Sequence, residues 1–557
     1  MTAPFRSILD CVLSHDPNRS CVRTYSPNKQ LAVRTFGEVA VAAQRAAAFY
    51  QAQGVQKGDI VILIGTHHVD LYGAWLGAVW LGAIPTLLAE PSVRIDKHIY
   101  WARMQKLVER IGAKLLAVDP AYEVNLALPT FSYEAIAQCT KAVPPRAEVT
   151  KDDLLLLQHS SGTTGLQKGV MLSHGAVMRH AAAYSKSLAL HSDDVVASWL
   201  PLYHDMGLIA CFVGPLIAGI PVVWLSPFEW VQKPGLLLEA VTTHRATLTW
   251  LPNFAFAFLS GRAKDPHRQL NLSSLRAVVN CSEPVSEAAM TAFADRYAAE
   301  GLRRDALHTC YAMAENVFAV SASTPEHPAR TVSLDAQAWR EQHRAVPATQ
   351  GARLLQTSNG PCLPECEVRI AAADGATLPS GHAGRVLVRS SFLLSGYFHR
   401  PDLNDGLLNA EGFYDTGDLG WVDADGHVFI TGRAKDLVII GGRNIYPQDV
   451  EELANSIEGV KPGRTVCFGV PLRNMGTEGL VLLVESEAPA ETWPTIVAAL
   501  RSQVPTRLDL DLVDARVLAP ATLRKSTSGK LARQDNRETY LRGQLGAVPP
   551  FIASTGA

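Results

Sequence analysis

Apolar positions along this chain fall into short continuous runs separated by longer helical patterns. IVILIG at Ile60–Gly65 is apolar throughout and bounded by polar residues. Such a run predicts a strand covered on both faces. LLAV from Leu115, LRAVVN at Leu275–Asn280 and CFGVP from Cys467 predict further strands of the same kind. Helical patterns alternate with them, so the expected class is α/β with large parallel or mixed sheets. One run, LYGAWLGAVWLGAIPTLLA at Leu71–Ala89, is uncharged over 19 residues and nominally long enough to span a bilayer. Gly82 and Pro85 divide it into a helix-like half and a strand-like half. GPLIAGIPVVWL at Gly214–Leu225 repeats the pattern. Two copies of helix, Gly-x-Pro and strand predict buried α/β units rather than membrane spans. Around Arg433 the alternation shortens, in HVFITGRAKDLVIIGGRNIYPQDVEELANSI. This predicts a large N-terminal domain, 1–433, followed by a small α+β domain, 434–557. No later segment resembles a carrier domain with a modified serine, so the chain reads as free-standing.

Composition narrows the class of partner. A chain of 557 residues is too long for one core, so more than one domain is expected. With 51 basic and 53 acidic residues the net charge is −2, and no basic surplus points to nucleic acid or an anionic membrane. The 9 cysteines are scattered, which fits a reducing, cytoplasmic setting. Cys362 and Cys366 form a C-x3-C pair, but no second pair follows at zinc-ligand spacing. The opening MTAPFRSILDCVLSHD carries charge early and has no long apolar stretch, unlike a secretory signal.

Candidate chemistry begins at LQHSSGTTGLQKGVMLSH, Leu157–His174. Ser160, Ser161, Gly162, Thr163, Thr164, Gly165 and Lys168 combine hydroxyls, accessible backbone N–H groups and one cation. Glycines allow a backbone concavity lined with N–H groups, which suits phosphate oxygens. It is not the Walker A loop, because Lys168 is followed by Gly169 rather than Ser or Thr. Taken alone, such a segment is more often an ordinary connection than an anion cradle.

Five further segments accompany it in order. SWLPLYHDMGL sets Tyr203, His204 and Asp205 between apolar arms. YAMAEN offers Tyr311, Ala312 and Glu315. YDTGDLG offers Asp418, GRAKDLVIIGGRNIYPQDVE carries Arg433 and Lys435, and STSGKLAR carries Lys530. Together the set resembles the adenylate-forming superfamily of acyl- and aryl-CoA ligases, adenylation domains and luciferases, from about Phe36 to Arg533. Within it, PLYHDMGLI, SEPVS at Ser282–Ser286, PNFAFAF at Pro252–Phe258 and YAMAE look like fatty acyl-AMP ligases. The loop SSGTTGLQKG is nearer the general CoA-ligase form, and Trp250 and Leu251 stand where those ligases carry small residues.

The resemblance implies a large N-terminal domain, a mobile C-terminal domain, and two half-reactions. A carboxylate attacks the α-phosphate of ATP to give acyl-AMP and pyrophosphate; a thiol then takes the acyl group. It assigns Ser160 to Lys168 to the phosphates and pyrophosphate, and Glu315 with Thr164 to Mg²⁺. Ser282, Glu283, Pro284, Tyr311 and Ala312 join the ATP site, with Tyr311 against adenine. Asp418 would accept the ribose hydroxyls and Arg433 would reach ribose or phosphate. His204, Asp205, Trp250, Asn253 and Phe254 border the carboxylic acid. Lys530 is the implied catalytic cation and Lys435 the hinge. The acceptor is an acyl or peptidyl carrier protein, or else coenzyme A, and 328–361 corresponds to an insertion linked to refusing coenzyme A. On their own, Glu315 and Asp418 also read as surface turn residues, His204 as a structural histidine and Trp250 as core. Asp205 reads either as a partner for an α-amine or as part of a motif that needs none. An intruding Trp250 predicts short or medium acyl acids, or a small amino acid.

Overall fold

The computed structural model describes residues 5–26, 32–65, 67–91, 97–160, 168–262, 269–283, 285–440, 443–472, 478–508, 510–526, 530–547, 549 and 552. The continuous apolar runs form strands buried on both sides. In Ile60–Ile64, Val61 and Leu63 enter the central core, while Ile60, Ile62 and Ile64 face Tyr100, Trp101 and Leu107 in a second one. Alternation of side chains across a strand therefore serves two cores with one apolar run.

The largest sheet has the order Ala319–Ala322, Leu307–Ala312, Ala277–Cys281, Leu248–Leu251, Val196–Ser198, Val222–Trp224, Ser20–Thr24, Val33–Thr35. Its inner strands are parallel and both edge strands antiparallel. A second, all-parallel sheet runs Ile84–Leu88, Ile60–Ile64, Leu115–Val118, Thr130–Ser132. The helices Phe36–Ala52 and Leu71–Trp80 pack closely because Gly73 and Gly77 carry no side chain. A Cβ on Gly77 would lie 2.4 Å from Ala46 Cβ. The long uncharged run thus divides as expected into helix Leu71–Trp80 and strand Ile84–Leu88, joined through Gly82 at φ 68°. Among the described residues no helix is long and apolar enough to cross a membrane.

An antiparallel sheet follows, ordered Cys366–Ala371, Gly384–Ser390, Tyr414–Val422, Val428–Arg433. Beside it the hairpin Thr331–Asp335/Arg353–Thr357 carries the helix Ala336–Gln342. Leu334, Trp339 and Leu354 of this unit share a cluster with Leu419, Trp421, Phe429 and Tyr446.

Beyond Val438, apolar clusters form on the two faces of the sheet Thr465–Pro471, Glu478–Glu485, Leu512–Leu518. A partly buried charge network sits within this region. Arg533 donates to both oxygens of Glu451 at 2.8 and 2.9 Å, to Asp436 at 2.7 Å and to the Cys467 carbonyl at 2.8 Å. Removing one member of such a network leaves the others unpaired where water reaches them only in part. Arg533→Met is expected to cost about 3–5 kcal/mol, measured as a lowered urea midpoint. A loss below about 1 kcal/mol would show that Glu451 and Asp436 find solvent instead.

Candidate active site

The carboxyl ends of the adjacent parallel strands Leu248–Leu251, Ala277–Cys281 and Leu307–Ala312 open onto one crevice, the usual place for ligands in such sheets. They deliver Asn253, Ser282 with Glu283, and Tyr311 with Ala312. Asn253 Oδ1 accepts from Asn280 Nδ2 at 2.9 Å and from the Ser286 N–H at 3.0 Å. Glu283 accepts the Phe254 N–H at 2.9 Å. Ser282 leaves its strand at φ 72°, a left-handed conformation that residues other than glycine rarely adopt.

Across the crevice stands Asp418, paired in register with Arg433. Arg433 Nε lies 2.7 Å from Oδ1, and the Tyr311 hydroxyl donates to Oδ2 at 2.5 Å. Burial pushes the Asp418 carboxyl above its ordinary range, against the opposing pull of Arg433, Tyr311 and Lys530. A carboxylate has about four acceptor positions, so this one retains capacity for two further hydroxyl donors.

Glu315 sits on the short 3-10 helix Ala314–Asn316, which ends in a strained turn. Val317 adopts φ 64° and ψ −55°, and the Phe318 N–H reaches back to the Asn316 carbonyl at 2.7 Å. A β-branched residue in such a turn costs about 1–3 kcal/mol and persists where the surroundings impose it. The Tyr397 hydroxyl donates to Glu315 Oε1 at 2.8 Å and contacts the Tyr414 hydroxyl at 2.8 Å. Lys168 Nζ lies 5.1 Å from the centre of the Tyr397 ring. A cation and a carboxylate thus meet around one phenol. The hydroxyl-rich loop springs from here, because Ser160 and Lys168 are ladder partners in the hairpin Leu154–Ser160/Lys168–Ser173. Ser161, Gly162, Thr163, Thr164, Gly165 and Pro284 lie outside the described residues, as does the side chain of Ser160.

His204 and Asp205 open the π-helix Met206–Val213. His204 Nδ1 is 2.6 Å from Asp205 Oδ1, which also accepts the Met206 N–H at 2.8 Å. Burial raises the Asp205 carboxyl, but the His204 imidazole and the Lys530 ammonium outweigh it, leaving it below the usual range. π-Helical turns are rare and concentrate at functional sites. Gly207 makes this one possible: a Cβ there would lie 2.2 Å from the Pro201 carbonyl oxygen. One turn deeper, Ile209, Ala210 and Gly214 line a small cavity with Leu248, Trp250 and Tyr184. It measures ≈ 20 Å³ as space open to the centre of a water molecule. Trp250 follows Leu248 on the same face of the strand, and its side chain lines this cavity. Trp250 Nε1 donates to the Tyr184 hydroxyl at 2.8 Å, which holds the ring in place.

The C-terminal region contributes Lys530. Its carbonyl accepts the Ser526 N–H at 2.7 Å, and its ammonium acts on both Asp205 and Asp418. Lys435 is exposed on the short 3-10 helix Ala434–Asp436, two residues after Arg433. The structure therefore groups Lys530 with His204, Asp205, Tyr311, Asp418 and Arg433, and Lys168 with Glu315. Sequence reasoning missed Tyr397, Tyr414 and Val317. Tyr397 reaches the site only through pairing of Gly396–Tyr397 with Val170 and Met171, a long-range contact with no local signal.

A family model for AMP-binding enzymes matches residues 13–398. The chain belongs to the AMP-binding enzyme family. Its adenylate-forming fold is that of a fatty acyl-adenylate ligase structure from work on the Escherichia coli and Legionella pneumophila enzymes. That match has TM-score 0.89 and 25% identity, and covers 98% of this chain and 99% of the other. A Mycobacterium tuberculosis protein named only as a ligase is 33% identical over 90% of this chain and 94% of its own. The medium-chain-fatty-acid–[acyl-carrier-protein] ligase JamA of Moorena producens is 28% identical over 97% and 96%. The chain is thus an adenylate-forming ligase, an AMP-binding enzyme that activates a carboxylic acid with ATP.

In this AMP-binding enzyme a side chain at position 207 would collide with the Pro201 carbonyl, next to the His204–Asp205 pair. Gly207→Ala is expected to leave a folded protein with a Tm several degrees lower, and to reduce acid-dependent ATP–pyrophosphate exchange more than tenfold. Unchanged exchange in the variant would mean that the π-helix can shift without cost to the site.

Proposed function

We propose that this ligase adenylates a short or medium acyl acid and passes the acyl group to the phosphopantetheine thiol of a carrier protein. The observation that supports the first half is that the charge of Lys530 pulls downward on both the Asp205 and the Asp418 carboxyl, two groups on different elements of the site. In this reading the acid enters beside His204 and Asp205, and the ribose hydroxyls bind Asp418. Lys530 neutralises charge where the carboxylate oxygen attacks the α-phosphate, with pyrophosphate leaving toward Ser160–Lys168. Fixed cations at that point stabilise the transition state without reorganisation at the moment of reaction. Glu315 offers the hard oxygen donor that Mg²⁺ favours, with Thr164 as a further ligand, and the ion would neutralise phosphate charge. Lys435, on an exposed turn between the two sets of clusters, is the proposed hinge about which the C-terminal domain turns before thiol attack.

The acceptor reading rests on the 331–357 hairpin. Trp339 of that unit packs against Tyr446 beyond the hinge, ring centres 5.7 Å apart. Such a contact restrains the rotation that coenzyme A would need. JamA, similar along nearly its whole length, is named for a medium-chain acid and an acyl carrier protein. With coenzyme A present, acyl-AMP is expected to accumulate, and a holo-carrier protein to discharge it. Quantitative acyl-CoA formation would instead make the protein a CoA ligase.

Chain length follows from Trp250. Each methylene denied burial forfeits about 0.8 kcal/mol, so long acids should bind poorly while the indole holds its place. Trp250→Gly is expected to join the deep cavity to the crevice and shift the optimum to longer acids in pyrophosphate exchange. Rapid adenylation of palmitate-length acids by the unaltered protein would contradict this.

A further inference from the structure

Phe254 carries a contact that the reaction itself does not require. Its backbone N–H is fixed by Glu283, and its ring stands edge-on to Trp199 and Trp230, each 6.3 Å away. Those two indoles stack at 3.6 Å, so the ring is supported from behind. On its other side two segments of the C-terminal region approach. Lys525 Nζ lies 5.1 Å from the ring centre, and a Cβ on Gly463 would lie 3.8 Å from Phe254 Cβ.

Lys525 and Lys530 belong to the two legs of one short hairpin. Lys525 bridges to Leu531, Ser526 donates to the Lys530 carbonyl, and the Ala532 N–H donates to the Arg524 carbonyl at 3.0 Å. Asn536 fastens both legs, accepting the Arg524 N–H at 2.9 Å and donating to the Arg524 and Ala532 carbonyls. The placement of one lysine therefore sets that of the other.

We infer that Phe254 is the landing point for this hairpin, and that Lys525, seated on its ring, is a positioning residue that delivers Lys530 to the crevice for adenylation. The inference rests on the role proposed for Lys530. Lys525 touches no reacting atom. Its attraction to the ring exists only while the hairpin is docked, so it favours the docked state over any rotated one. Losing it slows the first half-reaction and spares the second. An exposed cation–π contact corresponds to about a two- to fivefold change in rate.

The test is a four-member cycle of the full-length protein, Lys525→Met, Phe254→Leu and the double variant, read by ATP–pyrophosphate exchange at saturating acid. Each single variant is expected to lose about two- to fivefold, and the double variant no more than the worse single one. Lys525→Arg, which keeps a cation over the ring, should retain at least half of the exchange rate. Transfer from supplied acyl-AMP to a carrier thiol should be unchanged in Lys525→Met. Additive losses, an Arg variant as slow as the Met variant, or equal slowing of both half-reactions would overturn the inference. The Met and Arg pair alone decides the matter if Phe254→Leu fails to fold. Lys530→Ala, measured alongside, separates the two layers. If it keeps normal exchange, the Lys530 reading fails; if it abolishes exchange while the cycle is additive, only the landing point fails.

Discussion

Two buried carboxylates under the electrostatic pull of one lysine from another part of the chain set the terms for this molecule. Asp205 and Asp418 come from elements far apart in sequence, and Lys530 acts on both. Bringing a third carboxylate and a polyphosphate into the same space would be strongly unfavourable without cations placed in advance. Arg433, Lys168 and Lys530 supply that charge from three separate directions. Arg433 and Lys168 are strand residues, paired in register with Asp418 and Ser160. Lys530 sits on a hairpin outside the N-terminal sheets, where the proposed reading makes it the charge that can come and go.

The scaffold explains why the fixed charges stay fixed. Adjacent parallel strands end at one crevice, and small residues let neighbouring elements close on it. Gly207 brings the His204–Asp205 turn against Pro201, while the strained Val317 turn holds Glu315 within reach of Tyr397. Trp250, tied to Tyr184, lines the small cavity beneath the π-helix.

Much of this was legible in the sequence, because the signals were local. Continuous apolar runs became strands buried on both faces, and the Gly-x-Pro repeats became helix–turn–strand units. The motifs bearing His204, Asp205, Tyr311, Glu315, Asp418 and Arg433 arrive at one crevice because each lies at a strand end or in a turn beside it. What escaped notice depended on contacts distant in sequence. Tyr397 joins Glu315 only through sheet pairing, and Phe254 meets Lys525 only when the C-terminal region folds back onto the middle of the chain. Nor does MGLIACFV announce a π-helix, since its apolar residues fit an α-helix as well; only the missing side chain at Gly207 against Pro201 shows why the wider turn is accommodated.

The most direct test of the account is acid-dependent ATP–pyrophosphate exchange by the intact protein across acids of increasing chain length, with the Lys530→Ala variant run in parallel. The account predicts exchange that requires an acid, peaks at short or medium chains, and falls by orders of magnitude in the variant. ATP binding without exchange for any acid, or exchange indifferent to Lys530, would contradict it.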